Sequence, residues 1–118
     1  MVGRRVLLVD DHATFRESAG AWLVREGFEV VGTSESGEDL QATIEAVRPD
    51  IVLLDVNLPG RSGPEVAALL PRTVGAPEVI LISGDDDAAS DPRVLEAPVA
   101  GFLAKRDLSC AAIDALLC

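Results

Sequence analysis

Five apolar runs of six residues punctuate the chain: RVLLVD (5–10), FEVVGT (28–33), DIVLLD (50–55), EVILIS (78–83) and AGFLAK (100–105). Their near-continuous Val, Leu and Ile content suits strands buried on both faces, as in a parallel sheet. Between them the spacing turns helical. Phe15, Ala19, Trp22 and Leu23 share one helical face, with Gly27 as its stop. Leu40, Ile44 and Val47 form a second stripe, ended before Pro49. Val66, Leu69 and Leu70 form a third, opened by Pro64 and broken at Pro71. The last begins at Leu108 and carries Ile113, Leu116 and Leu117. This alternation predicts an α/β fold, a doubly wound five-stranded parallel sheet with right-handed crossovers.

The pattern weakens once. Where a fourth helix belongs, residues 84–99 read GDDDAASDPRVLEAPV. Aspartates are poor formers of a helix interior. Asp91-Pro92 has the form of an N-cap and first helical position, and residue 97, before Pro98, is pushed toward extended geometry. Only about 92–97 can be helical, with Val94 and Leu95 as its large apolar anchors. A short or irregular fourth helix is expected.

Composition narrows the field. A length of 118 residues fits one domain, 1–118, and 48% hydrophobic residues exclude a disordered chain. No apolar run approaches the roughly 20 residues of a membrane span, and MVGRR leads straight into a strand rather than a signal-peptide core. A cytoplasmic protein away from membranes is expected. Twenty acids against ten bases give a net charge of −10, which argues against direct nucleic-acid binding. Cys110 and Cys118, eight apart on a helical stretch, would have Cα atoms about 12 Å apart, too far for a bridge. Both are expected to be reduced packing residues.

Four of the five runs end on a polar group: Asp10-Asp11, Asp55, Ser83 and Lys105. Two adjacent carboxylates at about 4 Å repel by roughly 1 kcal/mol in water and about 4 kcal/mol at an effective dielectric near 20, so something must offset them. In open α/β sheets ligands bind beyond the carboxyl ends of strands. One crevice could hold three carboxylates, a hydroxyl and an ammonium. A hard divalent cation such as Mg²⁺ with a phosphoryl group fits that set. One carboxylate could then act as nucleophile toward phosphorus, with Lys105 and Ser83 meeting the phosphoryl oxygens. Each residue also has a plainer role. Asp11 could cap the first helix, Ser83 could be a turn residue before Gly84, and Lys105 could be a solvated edge lysine. Their recurrence at successive strand ends is what singles them out.

The stretches VLLVDDH, DIVLLDVNLPGRSG, VILISG and GFLAK resemble the receiver domain of two-component response regulators over essentially the whole chain. The resemblance implies the flavodoxin-like strand order 2-1-3-4-5. It makes Asp55 the phospho-accepting residue, Asp11 a direct Mg²⁺ ligand, and Asp10 a partner acting largely through water. The backbone carbonyl of Asn57 becomes the third protein ligand beside Asp11 and Asp55. Ser83 and Phe102 match the switch positions, and Lys105 the lysine of the family. Asn57 and Asp85, two residues beyond Asp55 and Ser83, match positions that tune access of the dephosphorylating water. Arg106 stands where many receivers have proline, and GFLAKRD is closer to the subgroup attached to helix-turn-helix output domains. His12, beside the acidic pair, is expected to have a local structural role, because partner kinases supply the phosphohistidine.

The implied function is a phosphorylation-driven switch. A histidine kinase would donate to Asp55, and the added charge would act through Ser83 and Phe102 on an output domain, a partner protein or a second copy. The chain would be a phosphoryl acceptor with only autocatalytic phosphotransfer and dephosphorylation, not an enzyme. Two alternatives differ in class. A phosphorylation-independent interaction module would keep the fold without needing the site. An aspartate-nucleophile phosphatase would carry D-x-D after the first strand, whereas Asp55 begins D-x-N after the third.

Overall fold

The computed structural model describes residues 4–117. Strands β1 (Arg5–Val9), β2 (Glu29–Ser34), β3 (Ile51–Asp55), β4 (Glu78–Ser83) and β5 (Gly101–Ala104) form one parallel sheet in the order β2-β1-β3-β4-β5. Helices α1 (Ala13–Arg25) and α5 (Cys110–Leu117) cover one face, and α2 (Leu40–Val47), α3 (Gly63–Leu69) and α4 (Pro92–Leu95) cover the other.

The strands' period of two divides the core accordingly. Val6, Leu8, Ile51, Leu53, Ile80 and Ile82 pack with Ala19, Leu23 and Ile113 beneath α1 and α5. Leu7, Val9, Val52, Leu54, Val79 and Leu81 pack with Leu40, Ile44, Val66 and Val94 beneath α2, α3 and α4. Both faces of β1, β3 and β4 are apolar because both are covered, which is why these strands read as unbroken hydrophobic runs. The edge strands β2 and β5, expected to be buried on both faces, are only partly buried.

Several expectations shift in detail. Leu69 lies at the end of α3 with 62% exposure; Val66 and, partly buried, Leu70 keep the expected stripe, and Ala67 joins them in place of Leu69. Leu95 is 70% exposed and anchors nothing, while Val94 is buried. Helix α4 spans four residues behind a 3₁₀ turn over Asp86–Ser90, shorter even than the 92–97 expected. The final helix begins at Cys110 rather than Leu108. Ser109 Oγ accepts from the Ala112 amide at 3.0 Å and its carbonyl from the Ile113 amide at 3.0 Å, which fixes that start. Trp22 is half-buried against the α1–α5 core. Cys110 is a free, half-buried thiol, and Cys118 lies outside the described residues. Among the described residues no helix is long and apolar enough to cross a membrane.

Candidate functional site

The register brings the polar strand ends together. Val9 pairs with Leu54, Asp55 with Ile82 and Ser83 with Ala104, so Asp10, Asp55, Ser83 and Lys105 all emerge at one end of the sheet. Asp10, Asp55 and Lys105 continue the alternation of the residues beneath α1 and α5, whereas Ser83 and Phe102 follow the other face. The acidic groups and the two switch candidates thus start from opposite sides of the same strand ends.

Burial makes the site electrostatically demanding. Asp10 is 0% and Asp55 2% exposed. Lys105 Nζ lies 2.6 Å from Asp10 Oδ2 and 3.8 Å from Asp55 Oδ2, so the ammonium pairs first with Asp10. Phe15 holds the same ammonium 4.4 Å from its ring centroid, a cation–π contact that keeps Lys105 over the site. Asp55 Oδ1 accepts from the Asn57 amide at 3.3 Å, while the buried Asp55 Oδ2 has no hydrogen-bond partner among the described residues. Burial, then the Asp10 charge, push the Asp55 carboxyl above the usual range, against the opposing pull of Lys105 and the Asn57 amide.

Asp11 does not cap α1. His12 occupies the N-cap position without a side-chain capping bond, and Asp10 Oδ1 accepts from the His12 amide at 2.8 Å. The Asp11 carboxylate instead meets the His12 ring, with Nδ1 to Oδ1 at 3.2 Å. Asp10, Asp11, His12 and Asp55 present donor atoms within 4.8 Å of one another. An orphaned buried oxygen among three carboxylates fits a hard divalent cation.

Ser83 is fully buried, and its Oγ accepts from the Asp85 amide at 2.9 Å. Asp85 is exposed and its Oδ1 caps the following 3₁₀ turn, accepting from the Asp87 amide at 2.9 Å. Asn57 is also exposed. Phe102 is half-buried against the core that contains Val94.

The backbone after Asp55 is held by close approach. The Gly63 amide donates to the Val56 carbonyl at 2.8 Å, and a Cβ at Gly63 would lie 2.3 Å from the Asp55 carbonyl oxygen. Ser62 and Glu65 form a reciprocal capping box that starts α3 at this point. The S-x-x-E spacing of Ser62 and Glu65 was the available signal for that box. Two further supports have no sequence signature of their own. Arg16 donates to the Asp10 carbonyl at 2.6 Å, and Phe15 contacts Lys105; both come from the first turns of α1. A cleft of about 770 Å³ opens at the opposite end of the sheet, beside Ile44, Arg48, Leu70 and Pro77, and contains none of these residues.

The family model for the response regulator receiver domain matches residues 6–113. The transcriptional regulatory protein DegU of Brevibacillus brevis is 33% identical over 95% of this chain and 48% of its own length. The response regulator GacA of Pseudomonas aeruginosa is 33% identical over 86% of this chain and 48% of its own. The chain thus spans about half the length of these relatives. Among solved structures, the signal receiver domain of the response regulator NarL from Mycobacterium tuberculosis superposes with a TM-score of 0.80 at 34% identity, covering 99% of this chain and 98% of that one. A strand order that reverses at β1, an acidic cluster at the strand ends and a family match over nearly the whole chain agree, and the chain belongs to the response regulator receiver domains of two-component systems.

Proposed function

We propose that Asp55 accepts a phosphoryl group from the phosphohistidine of a histidine kinase and that the resulting acyl phosphate switches binding to an output domain or partner. The observation that carries this reading is Asp55 Oδ2: buried, without a hydrogen-bond partner, and 3.8 Å from Lys105 Nζ. An unpartnered oxygen in such a setting is a group left free to react. Its lone pair would form the new O–P bond as the P–N bond to the donor imidazole breaks, and the electron pair of that bond would leave with the imidazole. Asp10, Asp11, Asp55 and the Asn57 carbonyl would hold Mg²⁺, which supplies charge neutralisation for the phosphoryl oxygens when bound.

The remaining work falls to the chain. Lys105 would neutralise the new phosphoryl group, at the expense of its contact with Asp10. Ser83 Oγ accepts a hydrogen bond from Asp85 and so keeps its own proton to donate to a phosphoryl oxygen. Moving toward that oxygen would strain or break the Asp85 contact, and Phe102 on the same face would follow into the space beside α4. The protein is then a phosphoryl acceptor with autocatalytic phosphotransfer and dephosphorylation, not an enzyme with a separate substrate. Output through transcriptional control fits its relatives' names, and would lie beyond the matched half of their length.

The test is incubation with acetyl phosphate and Mg²⁺, followed by intact mass measurement. Wild type should gain one phosphate, and Asp55→Asn should gain none. Phosphorylation of Asp55→Asn, or of wild type in EDTA, would refute the assignment.

A further inference from the structure

The phosphotransfer proposed above assigns His12 no step, yet its ring faces the whole acidic cluster. Nδ1 lies 3.0 Å from Asp10 Oδ1, 3.2 Å from Asp11 Oδ1 and 3.9 Å from Asp55 Oδ2. Adjacent ligands of a six-coordinate cation with bonds of about 2.1 Å stand about 3.0 Å apart, so this nitrogen is spaced from two carboxylates as a neighbouring ligand would be. The backbone holds it there: the His12 amide donates to the same Asp10 oxygen that the ring approaches. Asp55 Oδ2 is the second observation, a buried oxygen 3.9 Å from the ring nitrogen and, among the described residues, without a hydrogen-bond partner. A site of carboxylates alone favours Mg²⁺, whereas an imidazole nitrogen favours Ni²⁺ and Zn²⁺. With 64% of its side chain exposed, the ring can carry its proton on Nε2 and turn the Nδ1 lone pair inward.

We propose that His12 Nδ1 joins Asp10, Asp11 and Asp55 in binding borderline divalent ions, making this receiver site responsive to Ni²⁺ or Zn²⁺ as well as to Mg²⁺. The inference rests on the acidic cluster being a cation site. It adds a nitrogen ligand and a selectivity to that site.

The test uses the full chain with NiCl₂, ZnCl₂ and MgCl₂ as probes. Calorimetric titration of wild type and His12→Ala should show Ni²⁺ affinity falling at least tenfold in the variant, while Mg²⁺ affinity changes less than twofold. Because the chain has one histidine, its imidazole resonances are unambiguous, and diamagnetic Zn²⁺ should shift the Nδ1 signal of wild type. That arm needs no substitution. Equal Ni²⁺ affinity in both proteins overturns the proposal while leaving the Mg²⁺ site standing. A loss of Ni²⁺ affinity with no Zn²⁺-induced shift also overturns it, since the ring would then act without ligating. If neither Ni²⁺ nor Mg²⁺ binds either protein, the cluster is not a cation site and both readings fail together.

Discussion

The turns leaving β3 and β4 both start from a buried polar residue at a strand end, Asp55 and Ser83, yet they are built in opposite ways. After Asp55 the chain reverses tightly, returns Gly63 against the Asp55 carbonyl, and enters α3 through a reciprocal capping box over buried Val66 and Ala67. After Ser83 it passes through three aspartates, a 3₁₀ turn and a four-residue helix whose one buried side chain is Val94. The first junction fixes Asp55, the proposed nucleophile, and the backbone beside it. The second is held by few apolar contacts, as the rearrangement proposed for it would require. Rigidity and looseness therefore follow the roles proposed for the two junctions, and each can be attacked separately.

The largest effect should come from Gly63→Ala. The added Cβ would lie 2.3 Å from backbone rather than from a flexible side chain, so β3 and α3 must separate. A cost of about 3 kcal/mol, the top of the usual overpacking range, is expected in chemical denaturation. Leu95→Ala, at an exposed position of the other junction, should stay within about 0.5 kcal/mol. Similar costs for the two would erase the contrast.

Ser62→Ala should cost about 1 kcal/mol as an N-cap loss. Its pH dependence sharpens the point. Hydrogen bonds from the Ser62 amide and hydroxyl hold the Glu65 carboxyl below its ordinary range. That stabilisation is present above the unfolded-state value and is lost as pH falls through the lowered folded value. The difference between wild type and Ser62→Ala in a denaturation series should therefore narrow in acid. A difference constant from neutral pH into strong acid would mean that the carboxylate takes no part.

Asp55→Asn should act in the opposite direction. Burial and Asp10 raise the Asp55 carboxyl above its ordinary value, so the folded state holds its proton more tightly than the unfolded chain does. Stability is then greatest below the unfolded-state value and declines as pH rises through the folded one. The variant escapes that decline. It should be more stable than wild type at neutral pH by on the order of 1 kcal/mol, the strength of one screened like-charge contact, with the gain closing as pH falls. Millimolar Mg²⁺ should narrow the gap by stabilising wild type more. A variant less stable than wild type at pH 7 would show that Lys105 outweighs the repulsion.

The fold was legible because the residues that specify it repeat. Three central runs buried on both faces, two flanking runs and stripes such as Ala19 with Leu23 leave few arrangements. The polar strand ends were legible because a parallel register must bring Asp10, Asp55, Ser83 and Lys105 to one edge. Contacts set by side-chain reach were not. Nothing in the order of residues says that Lys105 pairs with Asp10 before Asp55, or that Phe15 lies beneath its ammonium. Leu69 failed as a core residue because the packed face of α3 runs through Val66, Ala67 and Leu70 and leaves Leu69 off it, and Leu95 failed at the end of a four-residue helix that buries Val94.

The smallest expected change is also the most local. Asp91 caps α4 by accepting from the Arg93 amide at 2.9 Å, and its carboxylate pairs with the Arg93 guanidinium at 2.8 Å, both at the surface. A helix of four residues cannot sustain itself by its own hydrogen bonds, since nucleation alone fixes nearly that many residues. What holds it is Val94 against the core that contains Leu54 and Leu81. Removing the cap in Asp91→Ala should leave the global denaturation midpoint unmoved within error, because a short segment anchored by one buried side chain is expected to open before the strands do. Amide exchange should change instead. In wild type, residues 86–96 should already exchange at least about 100-fold faster than the buried strand 51–55, and Asp91→Ala should widen that gap several-fold at Val94 and Leu95 alone. Exchange in 86–96 as slow as in β3 would mean that this segment opens only with the whole protein. The junction after Ser83 would then be as fixed as the one after Asp55, and it could not rearrange by itself when Ser83 moves.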